Sequence, residues 1–219
     1  MQINEFPKDH LISQLCQTLS IERLGTYLVA SGHDPDRALQ LYMWNACIGE
    51  AFHVPIQAVE VGLRNRINQG LKNQFGDHWW REAAFLAVAD NDRLADLDQV
   101  KTRIRNRGLE LSTPQIVAGL SFGFWVGLLL PRYNPPLWSA QLRSAFPNFP
   151  TSRGRKSLTQ AAQRVAYLRN RIWHHEPIFK EDLSRDFSIT MTLLEWICPA
   201  TAGWIRPKCR VPELLRQKP

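Results

Sequence analysis

Apolar residues recur at helical spacing along nearly the whole chain, and no run of alternating apolar and polar residues is long enough to predict a strand. The helices predicted in this way are residues 38–52, 55–75, 91–107, 137–145, 157–175 and 186–197, followed by a short helix after Pro212. Pro55 and Gly76 mark the start and the end of the second of these helices, which carries an apolar stripe on one face. The pattern predicts an all-α helical bundle.

Residues 116–130 form an uncharged run, IVAGLSFGFWVGLLL. Glycine recurs at every fourth position within it, at Gly119, Gly123 and Gly127. The run is shorter than the roughly 18 residues that a membrane span needs. Because Thr113 and Pro114 are typical of a helix start and Pro131 of a helix end, the run predicts a buried central helix and no membrane segment. The glycine face would let another helix approach closely, either within the chain or in a dimer mate.

The composition of the chain indicates its size class, its charge and the kind of partner that it could bind. The 219 residues, 44% of them hydrophobic, suffice for one soluble globular domain, and the net charge of +7 favours a polyanionic partner such as nucleic acid. The four cysteines form no CxxC pair and no cluster with histidine at zinc-finger spacing. The N-terminal residues do not resemble a secretory signal, so we expect a protein of the reducing cytoplasm.

The pentapeptide LRNRI occurs twice, at residues 63–67 and at residues 168–172. Only the second copy continues into WHHEP. Gln69 in the first copy stands where the second has His174, so the first copy can bind or brace but cannot transfer protons. The second copy is therefore the candidate site, and we expect the first to be scaffold.

A helical wheel of residues 157–175 places the second copy against the core. Its buried stripe consists of Leu158, Ala161, Val165, Leu168 and Ile172. Arg169 falls on the flank of this stripe and His174 almost opposite to it. Asn170 shares a face with His174, and Arg171 shares one with His175.

Pro177 disfavours helical geometry at Glu176, so both histidines are expected in the last helical turn. The free carbonyls of that turn favour a protonated imidazole and the nearby arginines disfavour it, a balance that suits proton exchange near neutral pH. The alternative is a simple C-terminal cap. A metal site is not expected, because His174 and His175 face different ways and no third ligand accompanies them.

Arg169, at the edge of the apolar stripe, requires a carboxylate partner. Glu60 lies within the apolar stripe of residues 55–75, where an isolated charge would be costly. Two arrangements are open. Glu60 can pair only locally with Arg64, one turn further on, or it can also reach Arg169 across two packed helices and fix its guanidinium.

Several stretches together resemble a known family. They are ALQLYMWN at 38–45, AFHVPIQAVEVGLRNRI at 51–67, FGDHWW at 75–80, LSFGFWVGLL at 120–129 and LRNRIWHHEPIF at 168–179. The motif Arg-Asn-x-x-x-His resembles the signature of the HEPN superfamily, and the whole set is similar to its Abi-like (abortive phage infection) branch. The resemblance divides the chain into an N-terminal segment at 1–20, an Abi-like helical domain at 21–199 and a C-terminal extension at 200–219.

The resemblance implies a metal-independent ribonuclease without cofactors. Arg169 would bind the scissile phosphate, His174 would transfer protons and Asn170 would hold the imidazole or a phosphate oxygen. The supporting residues would be Glu60, Arg64, Asn65, Arg171 and His175. HEPN domains commonly dimerise through their motifs, so the resemblance also implies a homodimer.

The loop before the motif helix carries the candidate RNA-binding residues Arg153, Arg155 and Lys156. Trp79, Trp80, Trp125 and Trp173 could stack on bases, although tryptophans at helical spacing usually belong to the core.

The two principal residues, Arg169 and His174, diverge by about 140° around an unbroken helix. Either the last turn is distorted, or one active centre draws on two chains.

The leading hypothesis is an RNA-cleaving enzyme of phage defence or toxin-like growth arrest, with no neutralising partner recognisable in the sequence. The alternatives are a non-catalytic HEPN-like module that binds RNA or protein, and an interaction protein that assembles through its glycine face.

Overall fold

The computed structural model describes residues 8–139 and 141–219. Within these ranges the chain is helical, with no strand, which confirms the all-α prediction. The helices are α1 (Lys8–Leu19), α2 (Ile21–Ala30), α3 (Pro35–Phe75), α4 (Ala83–Val88), α5 (Asn91–Asn106), α6 (Thr113–Gly119), α7 (Phe122–Gly127), α8 (Arg155–Trp173), α9 (Leu183–Ile197), α10 (Pro199–Ile205) and α11 (Val211–Arg216). Short 3₁₀ and π turns connect them.

Helix α3 is the axis of the bundle. Its 41 residues span about 60 Å. Asp34 caps its start, accepting hydrogen bonds from the backbone N–H groups of Asp36 and Arg37, and Gly76 ends it with a φ of 86°. Along its length one face is fully buried, at Ile48, Phe52, Ile56, Val59, Leu63 and Ile67. Helices α2, α8, α9 and α11 pack against α3.

The sequence predicted two helices where the structure has one, because Pro55 lies inside α3. Proline cannot donate to the carbonyl four residues earlier. That carbonyl, on Ala51, instead accepts a hydrogen bond from the Cys209 thiol, with an S–O distance of 3.7 Å. A residue near the C-terminus thus compensates for the missing backbone donor, and the helix continues.

The C-terminal residues contribute to the same core. The indole N–H of Trp44 donates to the carbonyl of Leu214 over 2.7 Å. Val211 and Leu214 are buried, and the Lys218 ammonium donates to the carbonyl of Phe179. The stretch assigned to a C-terminal extension therefore packs directly on α3.

The glycine-rich run is two helices, α6 and α7, rather than the single central helix predicted. The break falls at Leu120 and Ser121, where the Ser121 hydroxyl accepts a hydrogen bond from the N–H of Phe124 and so starts a new helix. Two of the glycines face α5. A Cβ at Gly119 would lie 2.7 Å from Val100, and one at Gly127 would overlap the Arg93 guanidinium. Their close helix neighbour is thus within the chain.

The described residues of 137–145, which exclude position 140, do not form the α-helix that the sequence predicted. They contain the end of a π turn at Asn134–Trp138 and a 3₁₀ turn at Leu142–Ala145, and a 3₁₀ turn at Pro131–Tyr133 precedes them. In the described part of the chain, no helix is both long and apolar enough to cross a membrane.

Candidate functional site

Arg169 is held at the junction of α8 and α3. Its Nε lies 3.3 Å from the Glu60 carboxylate, and the two side chains are 28% and 27% exposed. The guanidinium carbon lies 5.0 Å from the centre of the Trp173 ring, and Nη1 donates to the Asn170 side-chain oxygen over 3.3 Å. Nε has no hydrogen-bond partner among the described residues, so the contact with Glu60 is ionic. The predicted pairing of Glu60 with Arg169 is thus present.

Among the described residues, Glu60 does not form the local ion pair with Arg64. Arg64 is half-buried, and its Nε has no hydrogen-bond partner among the residues described. Asn65, the next residue, is exposed. The Glu60 carboxylate therefore turns toward α8 rather than along its own helix.

The first LRNRI copy braces the bundle, as predicted. Leu63 and Ile67 are fully buried. Between them, Arg66 donates from Nε and Nη2 to the carbonyl of Ile197, over 3.1 and 2.9 Å. Because Ile197 ends α9, Arg66 satisfies a carbonyl that the helix leaves free.

Helix α8 ends at Trp173, in a Schellman-type turn. The N–H of His175 donates to Ile172 and that of Glu176 to Arg171, over 3.0 and 2.8 Å. This pattern requires a left-handed residue at the position after the cap, and His175 supplies it with a φ of 55°. The prediction that both histidines occupy the last helical turn is therefore wrong for His175.

Two arginines fix this turn. Arg23 of α2 donates from Nη1 to the carbonyl of His175 over 2.7 Å. Arg171 donates to the carbonyl of Pro177 over 2.7 Å and forms an ion pair with Glu176 at 3.2 Å. Left-handed geometry at a residue other than glycine costs about 1 kcal/mol or more and persists where surrounding contacts over-determine it. Arg171 thus has a structural role in the fold.

His174 follows the helical path to the end. Its N–H donates to the carbonyl of Asn170 over 2.9 Å, the bond an unbroken helix would make. The separation of about 140° between Arg169 and His174 around the axis is therefore retained. The side chains of Asn170, His174 and His175 are all exposed, so a ligand can reach them.

A histidine that the sequence analysis missed lies next to this site. The ring of His53 on α3 stacks on that of Trp173, with ring centres 5.0 Å apart and planes 13° from parallel. His53 is exposed, and Trp173 is 38% exposed. The available signal was position, since His53 precedes Glu60 by seven residues and so shares its face of α3.

A groove of about 780 Å³ runs along α2, α3 and the end of α8. The charged, histidine and tryptophan side chains that line it are Arg23, Glu50, His53, Trp173, His175 and Glu176. His175 lines this groove, whereas Arg169 lies outside the lining and contacts the ring of Trp173, which is part of it. No local sequence feature marks Arg23 or Glu50, because their place in the groove depends on how α2 and α3 pack.

The predicted RNA-binding residues divide into two groups. The Arg155 guanidinium is half-buried and donates to the carbonyl of Leu129 and to Thr159, which gives it a structural contact. Arg153 is exposed and lies 5.4 Å from the centre of the Trp196 ring. Lys156 is also exposed. Of the four tryptophans considered as base-stacking candidates, Trp79, Trp80 and Trp125 are buried in the core.

A partly buried ion-pair cluster lies on the other side of α8. Arg164 donates to both oxygens of Asp186, over 2.6 and 2.8 Å, and to Glu181 over 2.8 Å. The Asp186 side chain is 1% exposed. The hydrogen bond from Arg164 holds the pKa of Glu181 below its usual value, and the bonds to Asp186 raise the pKa of Arg164. The cluster ties α8 to α9.

Comparison with known proteins bears on the family resemblance. No family model, curated protein or solved structure matches the chain. The HEPN and Abi-like resemblance therefore remains a prediction carried by residues such as Arg169, Asn170 and His174.

In the described ranges, no three His, Cys, Asp or Glu side chains are grouped as a metal site would require.

Proposed function

We propose that this protein is a metal-independent endoribonuclease. The observation that carries the proposal is the fixed guanidinium of Arg169, held between Glu60 and Trp173 beside a helix end with two exposed histidines. Phosphodiester cleavage needs a cation to stabilise the charge on the phosphate and groups that transfer protons, and an arginine beside two histidines can supply both. The net charge of +7 supports an RNA partner.

The reaction we propose is transesterification within RNA. A base removes the proton of a ribose 2′-OH, and the oxygen attacks the adjacent phosphorus. The bond to the 5′-oxygen breaks, and an acid protonates that leaving oxygen. The products are a 2′,3′-cyclic phosphate and a 5′-hydroxyl, which DNA cannot yield because it lacks the nucleophile.

Arg169, Asn170 and His174 take the three roles in this scheme. The fork of the Arg169 guanidinium matches two phosphate oxygens and offsets the charge that develops in the transition state. His174 transfers the protons. Asn170, already hydrogen-bonded to Arg169, orients a phosphate oxygen or the imidazole.

We further propose that the active centre draws on two chains of a homodimer. Arg169 and His174 lie on different sides of α8, and the helical hydrogen bond at His174 argues against a distortion that would unite them. A two-fold arrangement can place the histidine of one chain beside the arginine of the other. Two such centres would form in each dimer.

For the biological role we propose phage defence or toxin-like growth arrest by RNA cleavage, as a member of the Abi-like branch of the HEPN superfamily. Support comes from the motif at residues 168–179 and the stretches that accompany it. A protein with this activity requires control in healthy cells, so we expect a neutralising partner or a trigger.

The test is incubation of the purified protein with RNA in EDTA. We expect cleavage by the wild type and its loss in His174→Ala, with cyclic phosphate ends and no cleavage of a DNA of the same sequence. His33→Asn removes an exposed imidazole on the loop between α2 and α3 and serves as the matched control. Equal cleavage by wild type and His174→Ala would reject His174 as the proton-transfer group.

The second candidate function is a non-catalytic module that binds RNA or protein. The observation that favours it is that Glu60, Arg169 and Trp173 also brace α8 against α3, a role that needs no chemistry. Tight RNA binding without cleavage in the same experiment would support this module over the enzyme.

A further inference from the structure

The groove along α2, α3 and the end of α8 has the size of a ligand site. Its volume of about 780 Å³ lies within the range of about 300–1,000 Å³ typical of small-molecule pockets. It lies directly beside the proposed catalytic arginine, because Trp173 both lines the groove and contacts Arg169. A ligand bound against Trp173 therefore lies close to Arg169, the proposed phosphate-binding residue.

One wall of the groove contains two stacked rings. The rings of His53 and Trp173 lie face to face, with their centres 5.0 Å apart and their planes 13° from parallel, and both side chains are exposed. The Arg169 guanidinium lies over the Trp173 ring at 5.0 Å and extends the same row. Unpaired RNA bases bind to such rows by stacking on aromatic rings and guanidinium planes.

A second feature of the groove is a carboxylate without a partner. Glu50 is exposed and forms no ion pair or hydrogen bond among the described residues, whereas Glu176 is paired with Arg171. A free carboxylate repels a phosphate but accepts hydrogen bonds from the donors of a base. Of the four RNA bases, guanine alone offers two adjacent donors, N1–H and the N2 amino group, to one carboxylate.

The groove also contains a cation. Arg23 lines the groove, and its Nη1 donates to the backbone carbonyl of His175, which holds the guanidinium in place. This guanidinium suits the phosphate of a nucleotide whose base lies against Glu50 and His53. The groove thus offers Glu50 and His53 for a base and Arg23 for a phosphate.

We propose that this groove binds one unpaired nucleobase of the RNA, with guanine preferred. Its role as a substrate subsite rests on the proposed ribonuclease function. Its ability to bind a nucleotide does not, because stacking on His53 and hydrogen bonding to Glu50 require no cleavage. The RNA recognised would be single-stranded at this position, since a base within a duplex cannot enter a groove.

The test is titration of the full-length protein with the four nucleoside 5′-monophosphates, measured by calorimetry. We expect GMP to bind most tightly. Glu50→Gln should weaken GMP about tenfold and remove the preference, and His53→Ala should weaken all four nucleotides by about tenfold. Both residues are exposed, so both variants should keep the circular dichroism spectrum of the wild type. Glu195→Gln, at an exposed carboxylate on α9, is the matched control.

The outcomes separate the two proposals. If none of the four nucleotides binds, or if GMP binding is the same in both variants as in the wild type, the groove is not a base site. Equal affinity for all four would overturn the guanine preference. Cleavage of RNA without nucleotide binding would reject the groove and leave the ribonuclease, and nucleotide binding without cleavage would do the reverse.

Discussion

The carboxylate of Glu60 lies 3.3 Å from the Nε of Arg169, so an ion pair joins the helix that carries the first LRNRI copy to the helix that carries the second. Each side chain is about a quarter exposed. That exposure leaves the guanidinium accessible to an anion while its orientation is fixed from one side. A cation held in this way costs less reorganisation when negative charge develops beside it.

Replacing Glu60 with Gln should lower RNA cleavage at least about tenfold, because the neutral amide fixes the Arg169 guanidinium less firmly. The free energy of unfolding should change by no more than about 1 kcal/mol, since a partly exposed pair contributes little. The two measurements are the single-turnover cleavage rate and the midpoint of urea unfolding.

Glu195→Gln is the control for this variant, because it removes a carboxylate from the surface pair with Arg206. It should leave both measurements unchanged. Unchanged cleavage in Glu60→Gln would show that the ion pair serves only to pack α8 on α3.

The turn at the end of α8 separates the roles of its two histidines. His175→Gly removes the ring but keeps the left-handed backbone, and it relieves about 1 kcal/mol of local strain. Thermal unfolding of this variant should therefore occur at the same temperature as the wild type or higher. His174→Ala has no such strain to relieve.

Cleavage assays on the two variants then assign the chemistry. If His174 transfers the protons, His174→Ala loses cleavage by about a hundredfold or more, and His175→Gly retains most of it. The reverse order would move the proton-transfer role to His175, which lines the groove beside His53.

The ion pairs of Arg164 should contribute more to the stability of the fold than an exposed ion pair does. Arg164→Met leaves the buried Asp186 carboxylate without its partner, so it should lower the free energy of unfolding by about 3 kcal/mol. Arg206→Met, which breaks the exposed pair with Glu195, should cost less than about 1 kcal/mol. Urea unfolding at neutral pH makes this comparison, and equal losses in the two variants would contradict it.

The pH dependence follows from Glu181. The hydrogen bond from Arg164 holds its pKa lower in the folded protein than in the unfolded chain. Its contribution to stability is therefore fully present above the unfolded value, about 4.3, and is lost as the pH falls through the lower folded value. The free energy of unfolding is measured between about pH 5 and about pH 2. It should fall less steeply with falling pH in Arg164→Met than in the wild type.

The apolar pattern of each helix is enough to predict which face is buried and which charged residues at that face need a partner. The apolar stripe of residues 55–75 identified the buried face of α3, and the charge of Glu60 within that stripe indicated that it needed a partner. Because Arg169 has the same requirement at the edge of its own stripe, the pair across two helices could be predicted without coordinates.

The sequence does not reveal contacts with residues far away in the chain. Pro55 lies within a helix, and the carbonyl that its missing N–H leaves free accepts a hydrogen bond from Cys209, near the other end of the chain. His53 joins the candidate site only because α3 and α8 cross at Trp173. Arg23, one of the two arginines that hold the left-handed turn at His175, lies far from the motif in the sequence.

The composite site across two chains makes a prediction that heterodimers can test. Two chains with different affinity tags are expressed together, and the doubly tagged dimer is purified. When one chain carries Arg169→Ala and the other His174→Ala, a site shared between chains leaves one of the two centres intact, so about half of the wild-type activity should remain. A site within one chain would leave none.

The matched heterodimer reverses this expectation. One chain is wild type, and the other carries both Arg169→Ala and His174→Ala. Each shared centre then lacks one of its two residues, so this dimer should be inactive, whereas sites built within single chains would leave it about half active. Recovery of no doubly tagged species would contradict the dimer itself. Activity per chain that stays constant on dilution to low nanomolar concentration would also contradict it, because a shared centre is lost when the chains separate.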